Sequence, residues 1–573
     1  MTRIFVAITL ALVLPLQAGH AQILADGQRF HPVPAQQHMV VTQEAQASRA
    51  GREILRRGGN AIDAAVATGF ALAVTLPRAG NLGGGGFMVI HRANGENIAL
   101  DYRETAPAAA FREVFLDEEG EASPEKSRWS GLAVGVPGTV AGLALAHEHY
   151  GSGRFTLAEL IAPAIALARD GFEVSPALAR SLTSERVRAR LEADPETRHM
   201  FYRTGAPPRA GTRLTLPHLA ETLERIAEHG PAGFYEGPVA EAIVATVGVH
   251  GGAMTLDDLA TYQPVVREPV TGTFRGDTIV SMPPPSSGGV HLVQMLNILE
   301  NEPFGNFGLN SADMIHMMAE AARRAYADRA HYLGDPDFVD VPVAALTDKT
   351  YAATLRAEID PDRATPSAEV AAAPEKLPAE SDQTTHFSVL DGEGNAVSNT
   401  YTLNFSFGVG FAAEGVGVLL NNELDDFSAK PGVPNAYGLV GGEANAVAPR
   451  KRPLSSMTPT IVLREGKPFL VTGTPGGSRI ITTTMQVILN ATVHERDIMT
   501  ATAAPRVHHQ WLPDYIRIEE GISHDTIRLL EDKGHQVKQQ PSMGSTQSIL
   551  VGPDGMLYGA SDPRAPGGLA AGD

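Results

Sequence analysis

The sequence contains no cysteine in 573 residues. That excludes disulfides, thiolate metal sites and a thiol nucleophile, so an exported form would rely on its core alone. Lysine and arginine are few against acids, 46 to 65, for a formal charge of -19. No nucleic-acid partner is expected, because phosphate-backbone binding needs clustered cations. Long apolar runs are also lacking beyond the amino terminus. The most apolar later stretch, "NAIDAAVATGFALAVTL" (60–76), carries Asp63 and two threonines and reads as a buried helix. What is plentiful is core: 43% of residues are hydrophobic and 19% charged, enough for a large folded body of more than one lobe.

The first residues, "MTRIFVAITLALVLPLQAGHAQ", pair Arg3 with an apolar run from Ile4 to Leu16 and small residues at Gly19 and Ala21. This is the pattern of a secretory signal peptide over 1–21, since the run is too short to span a bilayer and contains Pro15. A periplasmic or secreted protein is expected, free of the membrane once the signal is removed.

Four stretches read as β-hairpins, with turns at Asn94-Gly95, Asp391-Gly392, Glu465-Gly466 and Asp554-Gly555. Between them lie helical patterns starting at Thr156, Thr215 and Ser311, the first two closing on glycine. Hairpins with helices grouped apart indicate an α+β fold rather than a parallel βαβ sheet.

Residues 364–379, "ATPSAEVAAAPEKLPA", have the composition of an exposed, poorly ordered linker. Immediately after it, "ESDQTTHFSVLDGEGNAVSNTYTLN" passes Thr384-Thr385 and becomes a strand. The threonine pair is either an ordinary strand start or a new amino terminus exposed by cutting the linker. In the second case the α-amine, with a pKa near ~7.7 to 8.0, could take the proton of the threonine hydroxyl.

"VTGTPGGSRIITTTMQVILN" (471–490) leaves a strand through Gly476-Gly477 and enters a helix, presenting backbone amides as an oxyanion hole or forming a structural turn. Arg103 could fork onto a carboxylate or pair with Asp101 or Glu104. Ser455 and Ser456 could donate hydroxyls or shape a turn. Glu423 and Asp426, with Asn404, could receive an ammonium or form a solvated loop.

The segments "TTHFSV", "TYTLN", "LLNNELDDFSAKPGVPNAYGLVGG", "RPLSSMTPTIV", "GTPGGSRI" and "GSTQSILVGPDGMLYGASDPR", in this order and joined by "NLGGGGFMV" and "DYRETAP" near the front, resemble the γ-glutamyltranspeptidase family. The resemblance implies the N-terminal nucleophile hydrolase fold, a four-layer αββα sandwich. It implies a precursor cut into 22–383 and 384–573, large and small subunits that pair, with Thr384 as nucleophile and Thr402 orienting it. Gly476 and Gly477 would form the oxyanion hole. Arg103, Ser455 and Ser456 would bind the α-carboxylate of a γ-glutamyl group, and Asn404, Glu423 and Asp426 its amine; Glu423 stands where some relatives have Gln. Residues 431–442 resemble a lid with Tyr437 as its closing aromatic.

Expected partners are glutathione and other γ-glutamyl compounds, with water, amino acids or dipeptides as acceptors. No cofactor or metal is expected: His508-His509 lack the spacing of a zinc protease helix. Two rivals stand beside this reading, a related glutaryl-cephalosporin acylase and a non-catalytic periplasmic binding protein.

Overall fold

A computed structural model of the protein describes residues 31–371 and 384–573. The expected signal peptide, residues 1–21, and residues 372–379 of the expected linker lie outside the described residues, as does Gln383.

Two seven-stranded sheets form the center. The first runs Leu569–Gly572, Met39–Thr42, Thr385–Leu390, Ala396–Thr402, Gly85–His91, Asn97–Tyr102 and Val265–Arg267; the second runs Val33–Ala35, Leu557–Ser561, Gln547–Val551, Lys467–Thr472, Thr460–Arg464, Asp277–Ser281 and Val270–Phe274. Their strand pairings are antiparallel, as the hairpin pattern requires. Each sheet interleaves strands from both sides of position 384.

Period-2 alternation sorts the side chains. Phe87 and Val89 face Ile461, Val471 and Ile549 of the other sheet, whereas Met88 and Ile90 face the opposite way, toward the buried helix Ala61–Thr75. That helix begins in a capping box between Asn60 and Asp63, which explains an acid at the start of an apolar run. Helices Gly288–Leu299, Ala312–Tyr332 and Ile480–Thr492 cover the outer face of the second sheet, giving helix, sheet, sheet, helix.

The four hairpins form where the sequence places them, but with different turns. At Glu465-Gly466 both residues have positive φ, 52° and 76°, and the loop has two residues. At 391–395 the loop has five residues. Asp391 Oδ1 accepts from the amides of Glu393 (3.0 Å) and Asn395 (2.9 Å), and the positive φ falls on Gly394 rather than Gly392. An aspartate that caps its own loop removes the need for a two-residue turn.

One expectation fails. Residues 364–371 are not an exposed linker: Thr365 donates its amide to Glu320 (3.1 Å), and Ser367 is buried, bonded to Asp514 (2.8 Å) and the Trp511 carbonyl (2.6 Å). Alanine-rich, proline-bounded composition hid a segment held by side-chain hydrogen bonds rather than by apolar periodicity.

Candidate active site

Thr384 lies at the entry to the strand Thr385–Leu390, in the first sheet, and is 4% exposed. It shares strand parity with His386 and Ser388, whose side chains point to the seam between the sheets: Ser388 donates to the Gln547 carbonyl (2.8 Å) in the second sheet, and His386 sits between Thr400 (2.8 Å) and Ser388 (3.1 Å). Burial pushes the His386 imidazole down to about 3, so it stays neutral.

A cavity at the end of this seam is lined by Thr384, Thr402, Asn404, Glu423, Asp426, Tyr437, Ser455, Ser456 and Gly477, with Arg329, Leu439, Met457, Ser478 and Ile480. The fold thus brings together nine of the eleven site residues read from the sequence. The other two adjoin them: Gly476 precedes Gly477, and Arg103 lies behind the acids. The cavity holds about 20 Å³, room for little more than a water.

Local chemistry fixes each group. Thr402 Oγ1 accepts from the Asn404 amide (2.9 Å), in the left-handed step of Asn404 at φ 72°. Gly476 and Gly477 have φ 136° and 57°, the first closed to most side chains, and lead through the turn Gly477–Arg479 into the helix Ile480–Thr492. Gly477, Ser478 and Ile480 of that entry line the cavity, and a helix start is where negative charge is favored. Ser455 Oγ accepts from the Met457 amide (3.1 Å). Ser456 Oγ accepts from Arg329 (3.3 Å), which also bonds Ser287 (3.0 Å).

Arg103 is wholly buried and donates from one Nη to Glu423 and from the other to Asp426, with Glu104 at 4.0 Å. Its Nε reaches the Pro453 carbonyl at 3.2 Å. The pairing with Asp101 is confined to the backbone amide, at 3.0 Å, and the acids are not a solvated loop: Glu423 is buried and Asp426 half-buried at the cavity. One guanidinium facing two buried carboxyls, Glu423 and Glu104, and the half-buried Asp426 cannot balance them. Burial pushes Glu423 well above the usual range, Asp426 upward and Glu104 to about 8, while their charge holds Arg103 protonated. The cluster is short of positive charge and gains from an added cation.

Tyr437 lies in the loop 431–442 and lines the cavity. Its hydroxyl donates to Asn404, 3.2 Å from the carbonyl and nearer still to the side-chain oxygen, and its ring meets Phe405 edge-on at 6.1 Å. Pairings of Gly432 with Gly441 and of Asn435 with Leu439 close the loop on itself.

Sequence reasoning missed Arg329. It sits on the helix Ala312–Tyr332 in line with Met318, Ala322, Ala325 and Tyr326, all buried. A cation on an apolar stripe was the available signal. Burial pushes its guanidinium down to about 10.

A strand-initial threonine at the seam of two face-packed antiparallel sheets, enclosed by helices and met by a glycine turn from the second sheet, defines an N-terminal nucleophile hydrolase. Comparison with known proteins makes this specific. The family model described as Gamma-glutamyltranspeptidase matches residues 47–572. The chain is 55% identical to the "Glutathione hydrolase proenzyme" of Escherichia coli (strain K12), over 95% of this chain and 93% of that protein. It is 38% identical to an "Acylase ACY 1 proenzyme" of Pseudomonas sp. (strain SE83), over 94% of each. A crystal structure of cephalosporin acylase from Bacillus halodurans superimposes with a TM-score of 0.82 at 28% identity, covering 95% of this chain and 97% of that one. The chain belongs to the γ-glutamyltranspeptidase family. Among the described residues no helix is long and apolar enough to cross a membrane.

Proposed function

We propose that the chain is cut between Gln383 and Thr384 and then transfers γ-glutamyl groups from glutathione and related compounds to water or to amino acids and dipeptides. The observation that carries the reading is the single cavity uniting Thr384 with two acids, two serines and the glycine turn. Relatives named as glutathione hydrolase proenzymes support both the donor and the maturation. The products are a large subunit ending at Gln383 and a small one beginning at Thr384. The signal-peptide pattern of 1–21 supports a periplasmic or secreted location.

In this mechanism the Thr384 α-amine takes the hydroxyl proton as Oγ1 attacks the γ-amide carbonyl. Thr402 orients that hydroxyl. The oxyanion forms against the amides of Gly476 and Gly477, which stabilize charge that exists only in the intermediate. Collapse breaks the carbon–nitrogen bond, and the ammonium returns its proton to the leaving amine, cysteinylglycine when glutathione is the donor. A γ-glutamyl ester on Thr384 remains. Water, or the amine of an acceptor, then attacks the ester and restores the threonine.

Glu423, Asp426 and Asn404 receive the donor ammonium, the cation that an over-acidic cluster lacks. Ser455 and Ser456 donate to the donor carboxylate. Arg103 exchanges a carboxylate partner for it, and Arg329 on the cavity wall adds a second positive charge. A γ-glutamyl group does not fit about 20 Å³, so the Tyr437 lid opens for entry.

Intact-mass analysis and amino-terminal sequencing of the purified protein beside Thr384→Ala test the reading. Two chains, the smaller starting Thr384-Thr385-His386, and one uncut chain in the variant are expected. An uncut wild-type chain refutes it.

A further inference from the structure

Far from the reaction cavity, the helix Ala312–Tyr332 carries His316 and Glu320 one turn apart on one face, and the chain after helix His524–Asp532 brings His535 against them. All three are buried, and a ligand atom from each lies within 4.8 Å of the others. His316 Nδ1 and His535 Nε2 are 2.7 Å apart.

The surroundings are those of ligands. His316 donates its Nε2 proton to the Asp360 carbonyl (2.8 Å), which fixes the tautomer and leaves a bare lone pair on Nδ1 aimed at the cluster. This is the outer bond that metal-bound imidazoles ordinarily make. Glu320 is likewise held from outside: Oε1 accepts from the Thr365 amide (3.1 Å) and Arg323 (3.3 Å), and Oε2 from Arg324 (2.8 Å). A carboxylate has about four acceptor positions, so one on Oε2 stays open.

The neighboring cations are offset in turn. Arg323 pairs with Asp514, Arg324 has Glu358 at 3.9 Å, and Lys533 has Asp313 at 3.1 Å and Asp362 at 3.6 Å. Burial pushes both imidazoles below their ordinary range and keeps them neutral.

We propose that His316 Nδ1, His535 Nε2 and one Glu320 oxygen bind a divalent transition ion of the zinc class, with water as fourth ligand. The donor set, two imidazoles and a carboxylate, suits such an ion rather than calcium or magnesium. Binding moves the one ring proton of His535 from Nε2, where it now bridges to His316 Nδ1, to Nδ1, so that both rings stay neutral and both facing nitrogens offer lone pairs. It widens the nitrogen pair from 2.7 Å to about 3.3 Å, the separation set by two bonds of ~2.0 to 2.1 Å at a tetrahedral angle. The ion takes no part in the chemistry at Thr384. It is a clip: His316 and Glu320 precede position 384 and His535 follows it, so after the proposed cleavage the ligands come from both subunits. The clip rests on that cleavage, whereas ion binding does not.

The test uses the purified, tag-free full chain, stripped with chelator and titrated with Zn2+ alone, metal content being read by mass spectrometry. About one tightly held equivalent is expected. His535→Gln and His316→Gln keep a side-chain hydrogen bond while losing the imidazole, and each should weaken Zn2+ binding by at least about 100-fold. Zn2+ should raise the thermal midpoint of the wild type and not of the variants. Co2+ in the wild type should give the visible absorption of a tetrahedral nitrogen-ligated ion, a readout that does not depend on either variant folding. Zn2+ bound no better than in the variants, or Co2+ with the spectrum of the hydrated ion, overturns the proposal. Failure of the chain to be cut would remove the clip and leave the ion site standing.

Discussion

Asp426→Asn separates a γ-glutamyl transferase from a glutaryl acylase on the same fold. Asp426 lines the cavity and shares Arg103 with Glu423. Asparagine keeps an acceptor oxygen for Arg103 and relieves a cluster in which three acids crowd one guanidinium, so little folding cost is expected. What it removes is the carboxylate proposed to face a substrate ammonium. A hydrogen bond to a charged group contributes about 1.5 to 3 kcal/mol, which is roughly a 10- to 160-fold loss in kcat/KM for a γ-glutamyl donor. A glutaryl donor has no amine to lose contact with, and its kcat/KM should stay within about threefold. The assay is p-nitroaniline release from γ-glutamyl and glutaryl anilides by wild type and variant. A parallel fall on both donors would refute the placement of the ammonium at Asp426 and bring the acylase reading forward.

Three further outcomes follow from the geometry. Tyr437→Ala removes a hydroxyl bond to Asn404 and an edge-on ring contact with Phe405, each worth about 1 kcal/mol; the closed lid should lose roughly 10- to 30-fold in population, and the ratio of transfer to hydrolysis should fall, with Tyr437→Phe between. An unchanged ratio in both variants would remove the lid from acceptor choice. Gly476→Ala forces a side chain onto φ 136° at the proposed oxyanion site; kcat should drop about 100-fold with KM nearly constant, and a pure KM effect would exclude the role. Glu44, pushed up to about 7 by burial, keeps its proton in the folded chain after the unfolded carboxyl has lost it above about 4.5. Its folded state binds more protons across that window, so stability falls as pH rises from about 4.5 to 7. Glu44→Gln should flatten that fall in urea midpoints, and an unaltered slope would contradict it.

How much of this was legible depends on the kind of signal. Alternation and turn residues placed the hairpins, because both are local. The Thr156 and Ser311 starts became caps of Leu157–Asp170 and Ala312–Tyr332, with a full capping box at the first. The bonding partners of Arg103 were not legible, since Glu423 and Asp426 meet it across more than three hundred residues and nothing local distinguishes a buried acid from a solvated one. The docking of 364–371 failed for a related reason: Thr365 and Ser367 are held by Glu320, Arg323 and Asp514, polar contacts that leave no periodic trace. Arg329 left a trace, a cation in an apolar stripe, that competes with the commoner solvent-facing arginine.

The register of the first sheet decides whether two cleaved halves can come apart. Strand Thr385–Leu390 pairs with Met39–Thr42 from the other half, Phe387 opposite Thr42 through Leu390 opposite Met39. Ala396–Thr402 pairs along its whole length with Gly85–His91, again across the cut. In the second sheet Thr460–Arg464 pairs with Asp277–Ser281. A break before Thr384 severs none of these ladders, since the pairing begins at Thr385. Separation would expose these strand edges and the apolar layer between the sheets, where Phe87, Val89, Ile461 and Val471 are wholly buried. Bared strand edges and core faces have no partner in water of comparable worth, so the halves should elute as one species under native conditions and part only with global unfolding. Sedimentation of the cleaved protein at nanomolar concentration measures this. Two separate species in native buffer would mean that the interleaved sheets do not hold the subunits together.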